Sequence, residues 1–136
     1  MILLRILKYV WQLPQFLLGI FIVSKLQFIH VLQYNEILVF IVKENICICL
    51  GPIIIITEHG YNNKIEKHEK DGHGKQSLIL GPFYLLLVLC SIIRYQYDAI
   101  FHKNWKQIFR LRWYYSGWCE YWADSLAGIR RRHLTN

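Results

Sequence analysis

The chain lacks the cysteine patterns that hold structural zinc or carry out thiol redox chemistry. None of its four cysteines forms a CxxC pair, because Cys47 and Cys49 lie two residues apart and Cys90 and Cys119 are isolated. On a strand, Cys47 and Cys49 share one face, and we expect both to be small buried hydrophobic residues. A cysteine zinc module and a CxxC redox function are therefore excluded.

Acidic residues, repeats and low-complexity tracts are also scarce. Nine Asp and Glu stand against 16 Lys and Arg, which gives a net charge of +7. Without a repeat in 136 residues, we expect a single domain. Hydrophobic residues nevertheless make up 54% of the chain and aromatic residues 15%. A chain this short and apolar cannot bury all of its hydrophobic side chains in one soluble core. We therefore expect some of these side chains to contact lipid.

The first candidate membrane helix lies within residues 1–25. An uncharged stretch runs through residues 9–24 and is preceded by Arg5 and Lys8. A cleavable signal peptide has a similar outline, but no small-x-small cleavage site follows, and Trp11 is typical of an interfacial anchor. We therefore predict a membrane helix here, with a buried amphipathic helix as the alternative.

Residues 26–57 have a composition typical of β-strands. They are rich in Ile, Val, Phe and Tyr, and polar or turn residues break them at 34–36, 43–45 and 51–52. Runs of four to eight β-branched and aromatic residues between such breaks indicate strands. We predict a small antiparallel sheet of about three strands, and the predicted fold class is α+β.

The polar segment 58–77 carries two histidines around an acidic residue, in the order His68, Glu69 and His73. In the HExxH motif the histidines are four residues apart and lie on one face of a helix. Here they are five apart, about 140° round a regular helix. A π-bulge, with Gly72 permitting the distortion, would restore one face. Alternatively the helix is regular, and Glu69 and His73 form the facing pair.

A second group of candidate residues follows about 50 residues later, in the sequence Glu-Tyr-Trp-Ala-Asp. With the first group it resembles the HExxH-plus-ExxAD pattern of zinc metalloproteases. The resemblance implies that His68, His73 and Glu120 bind zinc, that Glu69 activates water, and that Asp124 orients a ligand. The simpler interpretation of segment 58–77 is a solvated polar helix or loop.

The wider pattern is similar to a group of small bacterial membrane proteins that carry an HExGHxxQSxxLGPLYL segment. The matching residues are the Trp-x-Leu-Pro-Gln opening at 11–15, Gly-Lys-Gln-Ser at 74–77, Leu-Gly-Pro at 80–82, and Tyr84. The chain differs by the extra residue before His73 and by Ala127 in place of a glycine. The resemblance implies a location in the bacterial inner membrane and no established activity.

An apolar segment follows in residues 78–93, and Gly81-Pro82 interrupts it. If His68 and Glu120 share a metal, both must lie at one level of the membrane. An odd number of full crossings between them would separate them, so we predict a half-inserted or re-entrant apolar helix.

The last segment, residues 94–136, interleaves basic and aromatic residues and is predicted to form helices. Its basic residues are Arg94, Lys103, Lys106, Arg110 and Arg112, with a further cluster at Arg130, Arg131 and Arg132. Such a composition can neutralise nucleic-acid phosphates and stack on bases. Beside an apolar segment it is more typical of a membrane interface, so the lipid bilayer is the expected partner rather than nucleic acid.

Three functional hypotheses follow from these patterns. The first is a membrane-associated protein with a degenerate zinc-metallopeptidase-like site and a peptide substrate. The second is a non-catalytic integral membrane protein in which the same polar residues form a hydrogen-bond network between helices. The third is a basic nucleic-acid-binding module.

Overall fold

The computed structural model describes residues 2–131. Residues 132–136 of the predicted C-terminal segment, Arg132 among them, lie outside this range. The elements are, in order, α1 (Ile2–Trp11), α2 (Leu13–Val23), β1 (Phe28–Tyr34), β2 (Ile37–Val42), β3 (Cys47–Leu50), β4 (Ile53–Thr57), a 3-10 turn (Glu58–Gly60), α3 (Asn63–Lys67), a π-helical segment (His68–His73), α4 (Gly74–Leu80), a 3-10 turn (Gly81–Phe83), α5 (Tyr84–Phe101), α6 (Gln107–Tyr115) and α7 (Trp118–Ala127). The predicted α+β class is confirmed.

The sheet has four strands in the order β1-β2-β4-β3 and is mixed. β1 pairs with β2 and β3 with β4 in antiparallel fashion, but β2 and β4 are parallel. The prediction of an antiparallel sheet of about three strands is therefore wrong. All five residues of β4 are buried, and a strand covered on both faces belongs inside the sheet. β4 consequently inserts between β2 and β3, and β3 becomes an edge strand.

The N-terminal segment forms two helices instead of the single helix that we predicted. α1 and α2 meet at 73°. The break falls at Gln12, whose backbone is not helical, and Pro14 occupies the first turn of α2, where its fixed φ and missing N–H are tolerated. Gly19 of α2 packs on β4, where an added Cβ would lie 3.0 Å from the Cβ of Ile53.

A buried polar network joins the N-terminal helices to α4. The side-chain amide of Gln15 donates to Ser77 Oγ and to the carbonyl oxygen of Gly81, each at 3.0 Å. Ser77 Oγ in turn donates to Gln12 Oε1 at 2.8 Å. The Trp-x-Leu-Pro-Gln opening and the Gln-Ser-x-x-Leu-Gly-Pro stretch are thus packing partners.

Residues 63–101 form one long helical run that contains the π-helical segment. The chain does not turn back at Gly81-Pro82, so the re-entrant form of the prediction is not seen, and half-insertion stays a prediction. Gly81 has φ +54°, and a Cβ there would overlap the Trp11 indole. The run is long and apolar enough to cross a membrane, a property that the core helix of a soluble protein can share. Several of its large apolar side chains are exposed, among them Leu86, Leu89, Ile93 and Ile100.

The C-terminal helices bring the chain back along α5. Residues earlier in α5 contact residues later in the C-terminal helices, as expected of antiparallel segments. The contacts join Asp98 with Arg110, Arg94 with the Tyr114 carbonyl, and Ser91 with Glu120. Two of the basic residues expected at the membrane interface, Arg94 and Arg110, thus hold helices together. This hairpin places α7 against the π-helical segment. Because α5 runs away from that segment and α6 and α7 run back, the two half-motifs lie side by side.

Candidate metal centre

The π-helical segment brings the two histidines to the same side despite the extra residue. In a π turn, residue i bonds to residue i+5, so His68 and His73 lie one above the other. Their rings meet edge to face with centroids 4.8 Å apart. The π-bulge interpretation is confirmed, and the regular helix with Glu69 and His73 as the facing pair is wrong.

Gly72 is required by a close approach between backbones. It does not have a positive φ, so conformational freedom is not what the site uses. An added Cβ would lie 2.6 Å from the carbonyl oxygen of Ala123, which is closer than real Cβ atoms come to other heavy atoms. Gly72 and the small Ala123 therefore let the π-helical segment and α7 touch.

The predicted ligands converge at this contact. His68 Nε2 lies 3.0 Å from Glu120 Oε2, and His73 Nε2 lies 3.2 Å from the same oxygen. All three ligand atoms lie within 4.8 Å of one another, and all three residues are buried. Two ligands of a tetrahedral zinc ion are about 3.4 Å apart, given bonds of about 2.0–2.2 Å. This group could hold a metal ion.

Each histidine is oriented through its other ring nitrogen. His68 Nδ1 lies 2.7 Å from Asp124 Oδ1, and His73 Nδ1 lies 2.7 Å from Gln76 Oε1. Gln76 is itself held by its amide, which donates to the carbonyl oxygen of Cys119 at 2.8 Å. With a metal bound, each Nδ1 would donate its proton to these acceptors, and each Nε2 would offer its lone pair to the metal.

Two hydroxyl groups fix the third ligand. Ser91 Oγ and Tyr114 Oη donate to Glu120 Oε1 at 2.8 and 3.0 Å, so Oε2 is the oxygen that faces the histidines. Neither these two residues nor Gln76 were predicted from the sequence. Gln76 had a local signal, because it lies three residues after His73 and thus on the same helix face. Ser91 and Tyr114 come from other helices, and no local pattern marks them.

Asp124 contacts His68 as the resemblance implies, and it has a second partner that was not predicted. Arg131 donates from Nε to Asp124 Oδ2 at 2.5 Å and from Nη2 to Oδ1 at 2.9 Å. Its guanidinium also lies over the Tyr115 ring, 3.4 Å from the centroid. Arg131 was expected in a basic cluster at the membrane interface, but here it pairs with Asp124 and closes one side of the site.

Both carboxylates of α7 are held in the ionised form. Burial alone would raise the pKa of Glu120, but hydrogen bonds to His68 and His73 outweigh it and bring the pKa well below its ordinary range. Burial opposes ionisation of Asp124 too, and the contacts with His68 and Arg131 lower that pKa on balance. Burial raises the pKa of Tyr114, and the Glu120 charge adds to this effect, so Tyr114 stays protonated as a donor.

Glu69 lies beside the ligands and is incompletely hydrogen-bonded. Its Oε1 accepts a hydrogen bond from Cys47 Sγ at 3.3 Å. Its Oε2 is buried and has no hydrogen-bond partner within residues 2–131. A buried unpaired carboxylate oxygen is costly and needs an explanation, for which a bound water or ion is the ordinary one. One oxygen of Glu69 is therefore unpaired beside His68 and His73.

Cys47 departs from its predicted role as a buried hydrophobic residue, whereas Cys49 fits it. The Cys47 side chain is accessible at the edge strand β3, while Cys49 is buried. Protein atoms still surround much of the Cys47 thiol, and this desolvation, with the Glu69 charge, raises its pKa well above the ordinary value. Cys47 is therefore a thiol that donates to Glu69 and not a thiolate.

The centre opens into a cleft of about 530 Å³ between β3, α5 and α6. His68, Glu69, His73 and Glu120 all contribute to its wall, and Leu87, Val88, Ile92 and Leu111 provide apolar surface. A largely apolar cleft with a few convergent polar groups is typical of a ligand-binding site.

Compared with known protein families, curated proteins and solved structures, the chain matches none of them. The resemblance to HExxH-plus-ExxAD proteases and to small bacterial membrane proteins stays a prediction.

Proposed function

We propose that the chain is a membrane-associated zinc metallopeptidase. The observation that carries the proposal is the centre itself: His68 Nε2, His73 Nε2 and Glu120 Oε2 lie within 4.8 Å of one another. Two histidines and one glutamate are a frequent ligand set of catalytic zinc, which leaves a coordination position open. The two imidazole ligands and the carboxylate fit zinc better than magnesium or calcium, which prefer oxygen ligands only.

The residues around the centre divide the work of peptide hydrolysis. When bound, zinc would polarise the scissile carbonyl and make its bound water more acidic. Glu69 would accept a proton from that water through its unpaired Oε2 and pass it to the leaving amine. Asp124 and Gln76 would hold the histidine rings, and Ser91 and Tyr114 would hold Glu120.

The cleft supports a peptide substrate. β3 is an edge strand, and Ile46, Cys47 and Ile48 line the same cleft as Glu69. The outer backbone groups of an edge strand are available to pair with an extended chain. The apolar wall formed by α5 and α6 would accept apolar side chains of that peptide.

The exposed apolar surface supports membrane association, with the bacterial inner membrane as the proposed location. α1, α2 and α5 all carry large exposed apolar side chains, including Leu3, Phe21 and Ile93. Exposed apolar side chains in this number are typical of membrane or protein contact. The nucleic-acid hypothesis has less support, since Arg94 and Arg110 are engaged in contacts between helices.

A non-catalytic membrane protein is the alternative with a specific observation in its favour. The distances of 3.0 and 3.2 Å between the histidines and Glu120 are also ordinary hydrogen-bond distances. In that case the same atoms would form a buried network between the π-helical segment and α7 without a metal.

Metal analysis separates the two functions. The protein is purified in detergent without chelator, and its zinc content is measured by mass spectrometry together with that of His73→Ala and of His30→Ala. His30 is exposed and serves as the matched control. We expect about one zinc per chain in the wild type and His30→Ala, and little in His73→Ala. Failure of the wild type to bind zinc, also after reconstitution with zinc or cobalt, would leave only the non-catalytic alternative.

A further inference from the structure

A second cleft lies on the opposite side of the π-helical segment from the metal centre. Its volume is about 620 Å³, and its walls come from α1, the β1–β2 turn, the π-helical segment and α4. Among the described residues its charged lining comprises four cations and two carboxylates: Arg5, Lys8, Lys70 and Lys75, with Glu36 and Asp71. The cleft is therefore net positive and suits an anionic ligand.

α1 contributes a polar face to this cleft and an apolar face to its surroundings. Arg5, Lys8, Tyr9 and Gln12 line the cleft and recur at the spacing of one helix face. Ile2, Leu3, Ile6, Leu7 and Val10 are exposed. Helices of this kind lie along a membrane surface with their basic residues at the level of the lipid headgroups. Because α1 meets α2 at 73°, it can lie along the surface while α2 enters the bilayer.

Arg5 and Lys8 keep donors for a ligand, whereas Lys75 Nζ already donates to the Leu126 carbonyl oxygen at 3.0 Å. Arg5 uses its Nε toward Glu36 at 3.1 Å, and its side chain is 62% exposed, so most of its five N–H donors remain. Lys8 Nζ is 3.9 Å from Glu36, too far for a hydrogen bond. Exposed pairs of this kind are weak, so an incoming phosphate can compete with Glu36.

Lys70 is held in place beside them. Its Nζ lies 4.2 Å from the centroid of the Tyr34 ring and 3.8 Å from Glu66 Oε1. A preorganised cation loses less entropy on binding than a free lysine side chain. Arginine and lysine together are suited to a phosphate, arginine by its fork of donors and lysine as a point charge.

We propose that this cleft binds the phosphate headgroup of an anionic phospholipid of the phosphatidylglycerol type. Leu78 lines the cleft and is exposed, as is the adjacent Ile79, so the acyl chains have an apolar path along α4. Trp11 donates to the Leu78 carbonyl at 3.0 Å and is half exposed, as expected of an interfacial anchor. The proposal depends on the membrane association proposed above, but not on zinc or hydrolysis.

The headgroup site adjoins the metal centre through one short segment. Lys70 and Asp71 of the π-helical segment face the headgroup cleft, and His68, Glu69 and His73 face the metal cleft. A lipid held by Lys70 therefore binds the segment that positions both histidines.

Short-chain lipids test the site without a bilayer. Binding of dihexanoyl-phosphatidylglycerol and of dihexanoyl-phosphatidylcholine, both below their micelle concentrations, is measured by calorimetry on the purified full chain. The variants are Arg5→Gln with Lys70→Gln, and Lys103→Gln as a control, because Lys103 is exposed and outside the cleft. We expect the wild type and the control to bind phosphatidylglycerol, and the double variant to bind it about 30-fold more weakly.

The comparison of lipids in the wild type does not depend on any variant folding. We expect phosphatidylcholine and inorganic phosphate to bind at least about tenfold more weakly than phosphatidylglycerol. Equal binding of the two lipids, equal binding in the double variant, or equal binding of inorganic phosphate would overturn the lipid site. Because the assay needs neither a bilayer nor zinc, its failure is separate from failure of membrane association, which carbonate washing of membranes measures, and from failure of zinc binding.

Discussion

His68 and His73 are five residues apart, yet both direct Nε2 to one oxygen of Glu120, at 3.0 and 3.2 Å. The relationship depends on the π-helical segment, which keeps the flanking helices in place while absorbing one residue. The extra residue is therefore compatible with a complete ligand set.

The contact between Gly72 and α7 predicts the effect of one added methyl group. Gly72→Ala would place Cβ 2.6 Å from the Ala123 carbonyl oxygen, so the π-helical segment must move away from Glu120. We expect a loss of about 1–3 kcal/mol in the free energy of unfolding and weaker zinc binding. Denaturation in detergent and zinc titration measure the two effects.

Gly74→Ala is the matched control for that substitution. Its Cβ would meet nothing closer than the Glu69 carbonyl oxygen at 3.6 Å, an ordinary contact. Because alanine favours a helix by up to about 1 kcal/mol over glycine, we expect equal or greater stability. Similar losses in both variants would contradict the close-contact explanation.

Glu69→Gln separates binding from catalysis. Glutamine keeps the size of the side chain but cannot accept the proton, so hydrolysis of a peptide library should fall by about 10² to 10⁴, while zinc content stays unchanged. Glu58→Gln, at an exposed position, should behave as wild type. Loss of zinc in Glu69→Gln, or full activity, would remove Glu69 from the proposed role of general base.

Deletion of Asp71 tests whether the π turn serves only to accommodate the extra residue or is itself required for metal binding. The deletion restores a spacing of four, which also aligns the histidines on a regular helix. Zinc affinity should therefore change by less than about tenfold. Deletion of Lys75, in the regular helix α4, should instead rotate Gln76 by about 100° away from His73 and weaken zinc binding strongly. The reverse pattern would show that the centre requires the π turn itself.

Gln76 is predicted to hold His73 through Nδ1. Gln76→Ala removes the acceptor at 2.7 Å, and loss of such a partner typically lowers metal affinity by about 10- to 100-fold. Gln76→Glu keeps an acceptor and should restore much of the affinity, which a purely structural role would not explain. Gln33→Ala, on the exposed edge strand β1, is the control, and equal affinities in all variants would contradict the prediction.

Membrane association is tested by carbonate washing of membranes from expressing cells. We expect the full-length chain to stay with the membranes, because α1, α2 and α5 expose large apolar residues that a carbonate wash leaves in lipid. Recovery of the chain in the soluble fraction would overturn this prediction and leave the long apolar helix as an internal one.

The presence of strands could be predicted from the sequence, but their order in the sheet could not. The run Ile53–Thr57 predicts a strand because it is short and β-branched. Its place between β2 and β3 depends on pairing over distance, which no local pattern encodes. The bend between α1 and α2 was not predicted, because it depends on the packing of Gly19 against β4 and of Gln15 against α4.

The sequence by itself determined the chemistry available at the centre: two histidines, Glu69, Glu120 and Asp124, in an order that suggests two half-motifs. It also showed that a regular helix cannot bring His68 and His73 to one face, because five residues correspond to about 140° of rotation. Tertiary structure alone decided between the π turn and a different facing pair, because the close contact of Gly72 with Ala123 involves residues 51 positions apart. It likewise decided which oxygen of Glu120 faces the histidines, since the donors Ser91 and Tyr114 reach Oε1 only after α6 and α7 return along α5.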